Sequence, residues 1–312
     1  MFRRKCLLAF LTSLAVCAPC VGQSTGRSSA VNLTFTSYDA PGALITAIED
    51  INGSGEMVGY YGFQPVGPAT GFILKDGQLT TFTYEGNSTF PRGLNDSGLI
   101  AGYALVGNNY AAFTYDGTKF TTIMPPGKAV TWVFGISESG AVVGGTGAGL
   151  PNEAFETIAG KYRDVTPPPG GFIEATAAGI NKYGEVAGTT TGAGTLGFMY
   201  KQGKFRILEV PGDKQVTDAW DINDNHMIVG YYLSCAAGCK EHGFALLNGK
   251  YLTIDYPSAV DTYILGVNNA GQLVGGYDYA DGKQHGFYTS PLSLTAFEQP
   301  GCCKVDPNWK GD

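Results

Sequence analysis

Charge is scarce in this chain. Only 15% of its 312 residues are Asp, Glu, Lys or Arg, and 27 acidic residues outnumber 20 basic ones. Nucleic acid needs a basic patch to meet its phosphates, and anionic lipid needs the same, so neither is expected as a partner. Histidine is scarcer still, at three. A histidine-based metal centre is therefore disfavoured, and no metal or other cofactor is expected. Catalytic signatures are missing too: there is no G-x-S-x-G elbow, HExxH, Walker loop or EF-hand loop. Gly53-Ser54-Gly55 and Ser139-Gly140 lie in hairpin-turn sequence, where serine is ordinary. The stretch from Asn95 to Gly98 lacks the alternating carboxylates and distal Glu of a calcium loop. Helical periodicity is absent throughout, and beyond residue 17 no apolar run is long enough to span a bilayer.

The one apolar run, residues 6–17 (CLLAFLTSLAVC), follows Arg3, Arg4 and Lys5 and is too short for a membrane helix. Residues 1–22 are expected to be a signal peptide cleaved after Gly22, with 23–32 a short exposed linker. Acylation at Cys17 or Cys20 is the competitor, although Val16 and Pro19 before them are poor fits. The expected location is secreted or extracellular, with a periplasmic protein or outer-membrane lipoprotein as the alternative. Cleavage leaves 17 basic residues against 27 acidic ones, which favours solubility. Of seven cysteines, Cys235, Cys239, Cys302 and Cys303 remain. In an oxidising compartment these are disulfide candidates. A bond between the adjacent Cys302 and Cys303 would be strained, so pairings that tie the C-terminal tail to the 235–239 loop are preferred. Zinc held by the two thiols of CAAGCKEH and His242 is the lesser alternative. Asn32, Asn87 and Asn95 fall in N-x-S/T sequons, read as coincidental.

Glycine is plentiful, at 46 residues, and regularly spaced. One pattern recurs six times: INGSGEMVGYY from Ile51, LNDSGLIAGY from Leu94, ISESGAVVGG from Ile136, INKYGEVAGTT from Ile180, INDNHMIVGYY from Ile222 and VNNAGQLVGGY from Val267. The intervals are 43, 42, 44, 42 and 45 residues. Phe72, Phe113, Phe155, Phe198, Phe244 and Phe287 keep phase with it, and a T-x-I/F-x-x-P-G-like segment closes each unit. Each unit predicts four short strands; in the first these are 46–51, 56–61, 70–75 and 78–84. In N-x-x-G the Asn side chain accepts a backbone amide and Gly takes a positive φ to close the hairpin. His226 replaces that Gly in the fifth copy and is read as a strained turn. A period near 43 with four strands predicts an all-β, six-bladed β-propeller with four antiparallel strands per blade. The single domain runs over 33–301, with repeats near 45–87, 88–130, 131–174, 175–216, 217–261 and 262–298 and a C-terminal tail at 302–312. Residues 33–43 and 294–301 both match a fourth strand, so seven candidates compete for six slots.

Taken together, these motifs resemble the HAF-type extracellular repeat family of bacterial proteins. The likeness rests on IN-x-x-G-x-x-VG-Y, on H/A-G/A-F (His242-Gly243-Phe244, His285-Gly286-Phe287, Ala111-Ala112-Phe113) and on the closing P-G segment. Ser137 departs from it, as do the third and fourth units, which lack the His. The resemblance implies export and a propeller-like fold, and carries no reaction, cofactor or catalytic residue.

Turns of the N-x-x-G and D-G types fall at one end of the strands and longer connections at the other, where a ligand is expected. Five residues before the turn Asn stand Ala47, Phe90, Trp132, Thr176, Asp218 and Tyr263. Three before it stand Glu49, Arg92, Phe134, Ala178, Trp220 and Leu265. If the first strand lines a channel, Glu49, Arg92, Trp132, Phe134, Asp218, Trp220 and Tyr263 are the candidate ligand-binding residues at its mouth. Tyr61, Phe63, Tyr110, Tyr232, Tyr277 and Tyr279 lie in or near the adjoining loops. Packing between blades is the competing role for any one of these aromatics. The expected function is a monomeric binding or interaction module for an unknown extracellular ligand, polysaccharide or protein. The alternative is an exported glycan-cleaving enzyme using paired carboxylates among Glu49, Asp50, Asp218 and Asp221. No residue is assigned as catalytic.

Overall fold

A computed structural model describes residues 33–128, 131–147, 153–168, 172–192, 194–212, 216–235, 238–298, 304–306 and 309. The expected signal peptide and linker lie outside them, as do Cys302 and Cys303.

Each repeat folds as an antiparallel meander. The first comprises β2 (Ile45–Ile51), β3 (Met57–Gly62), β4 (Ala69–Lys75) and β5 (Gln78–Phe82). The second is β6 (Ser88–Leu94), β7 (Ile100–Val106), β8 (Asn109–Tyr115) and β9 (Phe120–Ile123). The third contains β10 (Thr131–Ile136), β11 (Val142–Thr146), β12 (Glu153–Ile158) and β13 (Lys161–Asp164). Next come β14 (Phe172–Ile180), β15 (Val186–Gly192), β16 (Thr195–Lys201) and β17 (Lys204–Leu208). The fifth is β18 (Val216–Ile222), β19 (Ile228–Ser234), β20 (Lys240–Leu247) and β21 (Lys250–Ile254). The last copy supplies only β22 (Asp261–Val267), β23 (Leu273–Asp278) and β24 (Gln284–Thr289). Its fourth strand is β1 (Phe35–Tyr38), which pairs antiparallel with β24 from Phe35↔Thr289 to Tyr38↔Gly286.

The competition for the sixth slot is thus decided for the N-terminal segment. Residues Leu294–Glu298 form a short 3-10 turn instead, so the last repeat does not supply its own fourth strand within 262–298. The tail adds a two-residue strand, β25 (Lys304–Val305), to the outer edge of β21.

The N-x-x-G turns join these meanders. Asn52 Oδ1 accepts the amides of Ser54 at 3.1 Å and Glu56 at 3.0 Å, closing its own hairpin. Its Nδ2 donates to the Asn95 carbonyl of the next copy at 3.3 Å. Asn95 reaches the Ser137 carbonyl (3.2 Å), Asn181 reaches Asn223 (3.2 Å) and Asn223 reaches Asn268 (2.9 Å). Asn268 then returns to the carbonyl of Asn52 at 3.0 Å. The circuit passes once round all six copies, and its one gap is at Ser137, which has no amide to donate. His226 takes φ 61° in the Gly position, as its turn requires, while its ring stacks on Tyr183 and pairs with Glu185.

The other motif residues fill the space between meanders. Phe72, Phe113, Phe198, Phe244 and Phe287 are completely buried and Phe155 nearly so. The residue before each Phe must be small because the next inner strand packs on it. A Cβ on Gly71 would lie 3.0 Å from Pro91 Cγ, and one on Gly243 2.8 Å from Ile264 Cγ1.

Restoring the missing donor tests the circuit. Ser137→Asn is expected to stabilise by about 1 kcal/mol, a rise of about 2 °C in thermal melting. Asn223→Ala, which removes both functions of a buried amide, is expected to cost about 2–3 kcal/mol by urea denaturation.

Candidate functional site

The six inner strands share an irregularity that builds the centre of the molecule. In each, the register skips one residue against its partner: between Ile48 and Asp50, Pro91 and Gly93, Val133 and Gly135, Ala177 and Gly179, Ala219 and Asp221, and Ile264 and Gly266. The skipped residues are Glu49, Arg92, Phe134, Ala178, Trp220 and Leu265. A β-bulge leaves its extra residue without a cross-strand partner and re-aims its side chain. All six line one central cavity. The bulge also explains the Gly of V/A-G-Y. A Cβ on Gly59, Gly102, Gly144, Gly188, Gly230 or Gly275 would come within 1.9–2.3 Å of the carbonyl oxygen opposite it.

Glu49, Arg92, Phe134 and Trp220 therefore converge as expected. Arg92 is their hub. Its Nη1 lies 2.6 Å from Glu49 Oε2, its Nη2 donates to the Tyr103 hydroxyl at 2.9 Å, and both members of the ion pair are largely buried. Five rings surround the guanidinium, with centroids 5.4–5.9 Å from its carbon: Tyr60, Phe90, Tyr103, Phe134 and Trp220. Burial raises the Glu49 carboxyl above its ordinary range, with Arg92 pulling it back. The cavity among these side chains measures about 20 Å3. That is room for one water molecule and far less than a sugar needs.

Trp132, Asp218 and Tyr263 do not line this cavity; they stand one layer nearer the long loops. Trp132 packs edge-on against Tyr110, with ring centroids 5.4 Å apart, and lies over Gly145. Asp218 bonds to Thr189 and Tyr231, and burial pushes its carboxyl up to about 6. Tyr263 is 4% exposed, packs on Tyr231 and bonds to Glu241. Tyr60, Tyr103 and Tyr231 were missed by the sequence reading. They pair with Ala47, Phe90 and Asp218. Their signal was the Tyr of V/A-G-Y, which points to the channel mouth.

Toward the turns, the channel opens into a second cavity of about 50 Å3. Asp50 Oδ1 and Oδ2 accept the amides of Ile51 (2.7 Å) and, in the next copy, Leu94 (2.6 Å). Asp221 does the same for Ile222 (2.7 Å) and Val267 (2.9 Å). Burial raises both carboxyls, Asp221 to about 6, and the charge of Asp221 raises Asp50 further. Both thus serve as clamps between sectors. Among the described residues, no group of three or more His, Cys, Asp and Glu is placed to hold a metal ion, and no helix is long and apolar enough to cross a membrane.

One expectation is corrected. Cys235 bonds to Cys239 within the loop joining β19 and β20, rather than to the tail. Gly238 takes φ 101° there, folding the chain back over four residues, and so short a loop loses little entropy on closure. This bond also removes both thiols from the zinc alternative.

Three solved structures are similar to this chain in fold. The β-propeller domain of the Trilobed protease from Pyrococcus furiosus superposes with TM-score 0.52 and 10% identity, over 86% of this chain and all of that one. The chain is a β-propeller. A putative gluconolactonase gives TM-score 0.52 and 11% identity over 83% of this propeller and 93% of that chain. A gluconolactonase from Xanthomonas campestris gives 0.50 and 10% over 80% and 88%. No family model and no curated protein matches the chain. At these identities the likeness concerns the fold alone; among the described residues, the strand pairings give six antiparallel meanders.

Two measurements test the centre. Glu49→Gln leaves a buried guanidinium without its counter-ion and is expected to cost about 3–5 kcal/mol in urea denaturation. Folded-state carboxyls raised to about 6 at Asp218 and Asp221 contribute stability below the ordinary Asp range that is lost as pH rises through about 6. The melting temperature should therefore climb as pH falls from about 7.5 to about 5, and Asp221→Asn should flatten the climb.

Proposed function

We propose that this propeller is a secreted binding module of the HAF-repeat type, which engages an extracellular protein or polysaccharide through its long-loop face. The observation that carries this proposal is where apolar surface is left exposed. Among the described residues, Phe63 (57%), Val66 (81%), Val260 (51%) and Tyr279 (42%) project from connections at that face, and Tyr110 (42%) from the adjoining start of β8. Leu44, Leu105, Met124 and Ile173 add to them there, whereas Ile158, Tyr183, Leu294 and Val305 are the exposed large apolar residues toward the opposite end. Exposed apolar surface concentrated on one loop-bearing face is the usual mark of an interaction site.

This moves the proposed contact outward, from the bulged residues inside the channel to the loops around it. Glu49, Asp50 and Asp221 are engaged by Arg92 or by backbone amides. The cavities beside them have no room for a glycosidic bond flanked by acid and base. Fold likeness to gluconolactonases is equally compatible with binding and with catalysis, and the small volume of the cavities beside these carboxylates supports the binding reading.

An array of soluble glycans and a panel of secreted proteins, combined with a reducing-sugar release assay, tests the proposal. Expected is binding without sugar release, weakened at least about tenfold by the pair Phe63→Ser and Tyr110→Ser and unchanged by Ile158→Ser. Sugar release abolished by Asp218→Asn would instead favour the enzyme.

A further inference from the structure

We propose that the long-loop face, where the sixth and first blades meet, docks a cationic, partly apolar peptide segment of another protein. This deepens the proposed function and rests on it, naming the partner class and the sector.

Backbone bonds tie together the connections that carry the exposed apolar residues here. Val260 N–H donates to the Asp278 carbonyl at 2.8 Å, and the next residue, Tyr279, donates to the Lys283 carbonyl at 3.2 Å. Gln284 N–H reaches the Leu44 carbonyl at 3.1 Å, and Leu44 N–H reaches Gly62 at 2.9 Å. Phe63 follows, edge-on to Tyr61. One run of backbone bonds thus joins the connections that carry Val260, Tyr279, Leu44 and Phe63 across the junction, each residue at least 37% exposed.

Charge selects the occupant. The four connections carrying this shelf (residues 39–44, 62–68, 255–261 and 278–284) contain five aspartates and one lysine. Asp39 and Asp281 are 48% and 44% exposed and flank His285, at 2.9 and 3.3 Å. Behind them Glu241 takes the Asp261 carboxylate on its amide at 2.8 Å. Anionic lipid and acidic polysaccharide are repelled by this rim, and so is a second copy of the same face. Lysine or arginine alternating with aliphatic side chains satisfies both the shelf and the rim. The Cys235–Cys239 loop stands on the same face in the fifth blade, where its bridge limits the ordering that binding would require.

The probes are three synthetic peptides, alternating Lys–Leu, Glu–Leu and Lys–Ser, titrated calorimetrically against the exported chain at low and high salt. Lys–Leu should bind, weaken steeply with salt, lose about tenfold in Tyr279→Ser and about threefold in Asp281→Asn. Ile158→Ser should leave its affinity unchanged, and thermal melts should show all variants folded. Glu–Leu binding as tightly as Lys–Leu, or an affinity indifferent to Tyr279→Ser, would overturn the proposal. If no peptide binds while a glycan or protein ligand is still lost in the Phe63→Ser and Tyr110→Ser pair, the cationic partner is wrong and the long-loop face stands. Should neither depend on those residues, both fall.

Discussion

Neighbouring meanders share few backbone hydrogen bonds, because each satisfies most of its own backbone internally. A link repeated almost all the way round is one side chain used twice. The turn asparagine holds its own hairpin through oxygen and the neighbouring sector through nitrogen, so local folding and ring assembly share a residue. Aspartate would lose the donor and serine cannot span the gap, as position 137 illustrates. Every residue of this group is nearly buried, where a polar atom left unpaired is costly and the pairing is correspondingly strict.

The bulge is the second constraint, and it recurs in every copy. With turns fixed at one end, the inner strands crowd together, and a straight strand would direct alternate side chains into neighbouring sectors only. The extra residue sends one side chain per sector to the axis, where volumes must sum to what the channel holds. One ion pair, two large aromatics, a leucine and an alanine fill it. The centre is a packed core containing a buried charge, so recognition is left to the rim.

The repeat, the four-strand unit and the buried phenylalanines were legible in the chain because each depends on local chemistry that recurs at a fixed interval. So was the grouping of Glu49, Arg92, Phe134 and Trp220, since equal distance from the turn asparagine means equal height in the ring. Their role was not legible. Whether such residues meet a ligand or one another depends on channel width, which spacing does not encode. Trp132, Asp218 and Tyr263 separated from them because two residues along a strand is one layer up. Disulfide pairing and ring closure escaped for a different reason: both turn on which of several chemically equivalent segments lies nearest in space.

Closure through the first strand has a temporal consequence. A chain that emerges amino end first carries β1 out at the start, yet the edge it must join appears only when Gln284–Thr289 is complete. Until then the leading strand lacks the neighbour it has in the finished ring. The pairing that latches the ring therefore joins the two ends of the described propeller and requires both to be present.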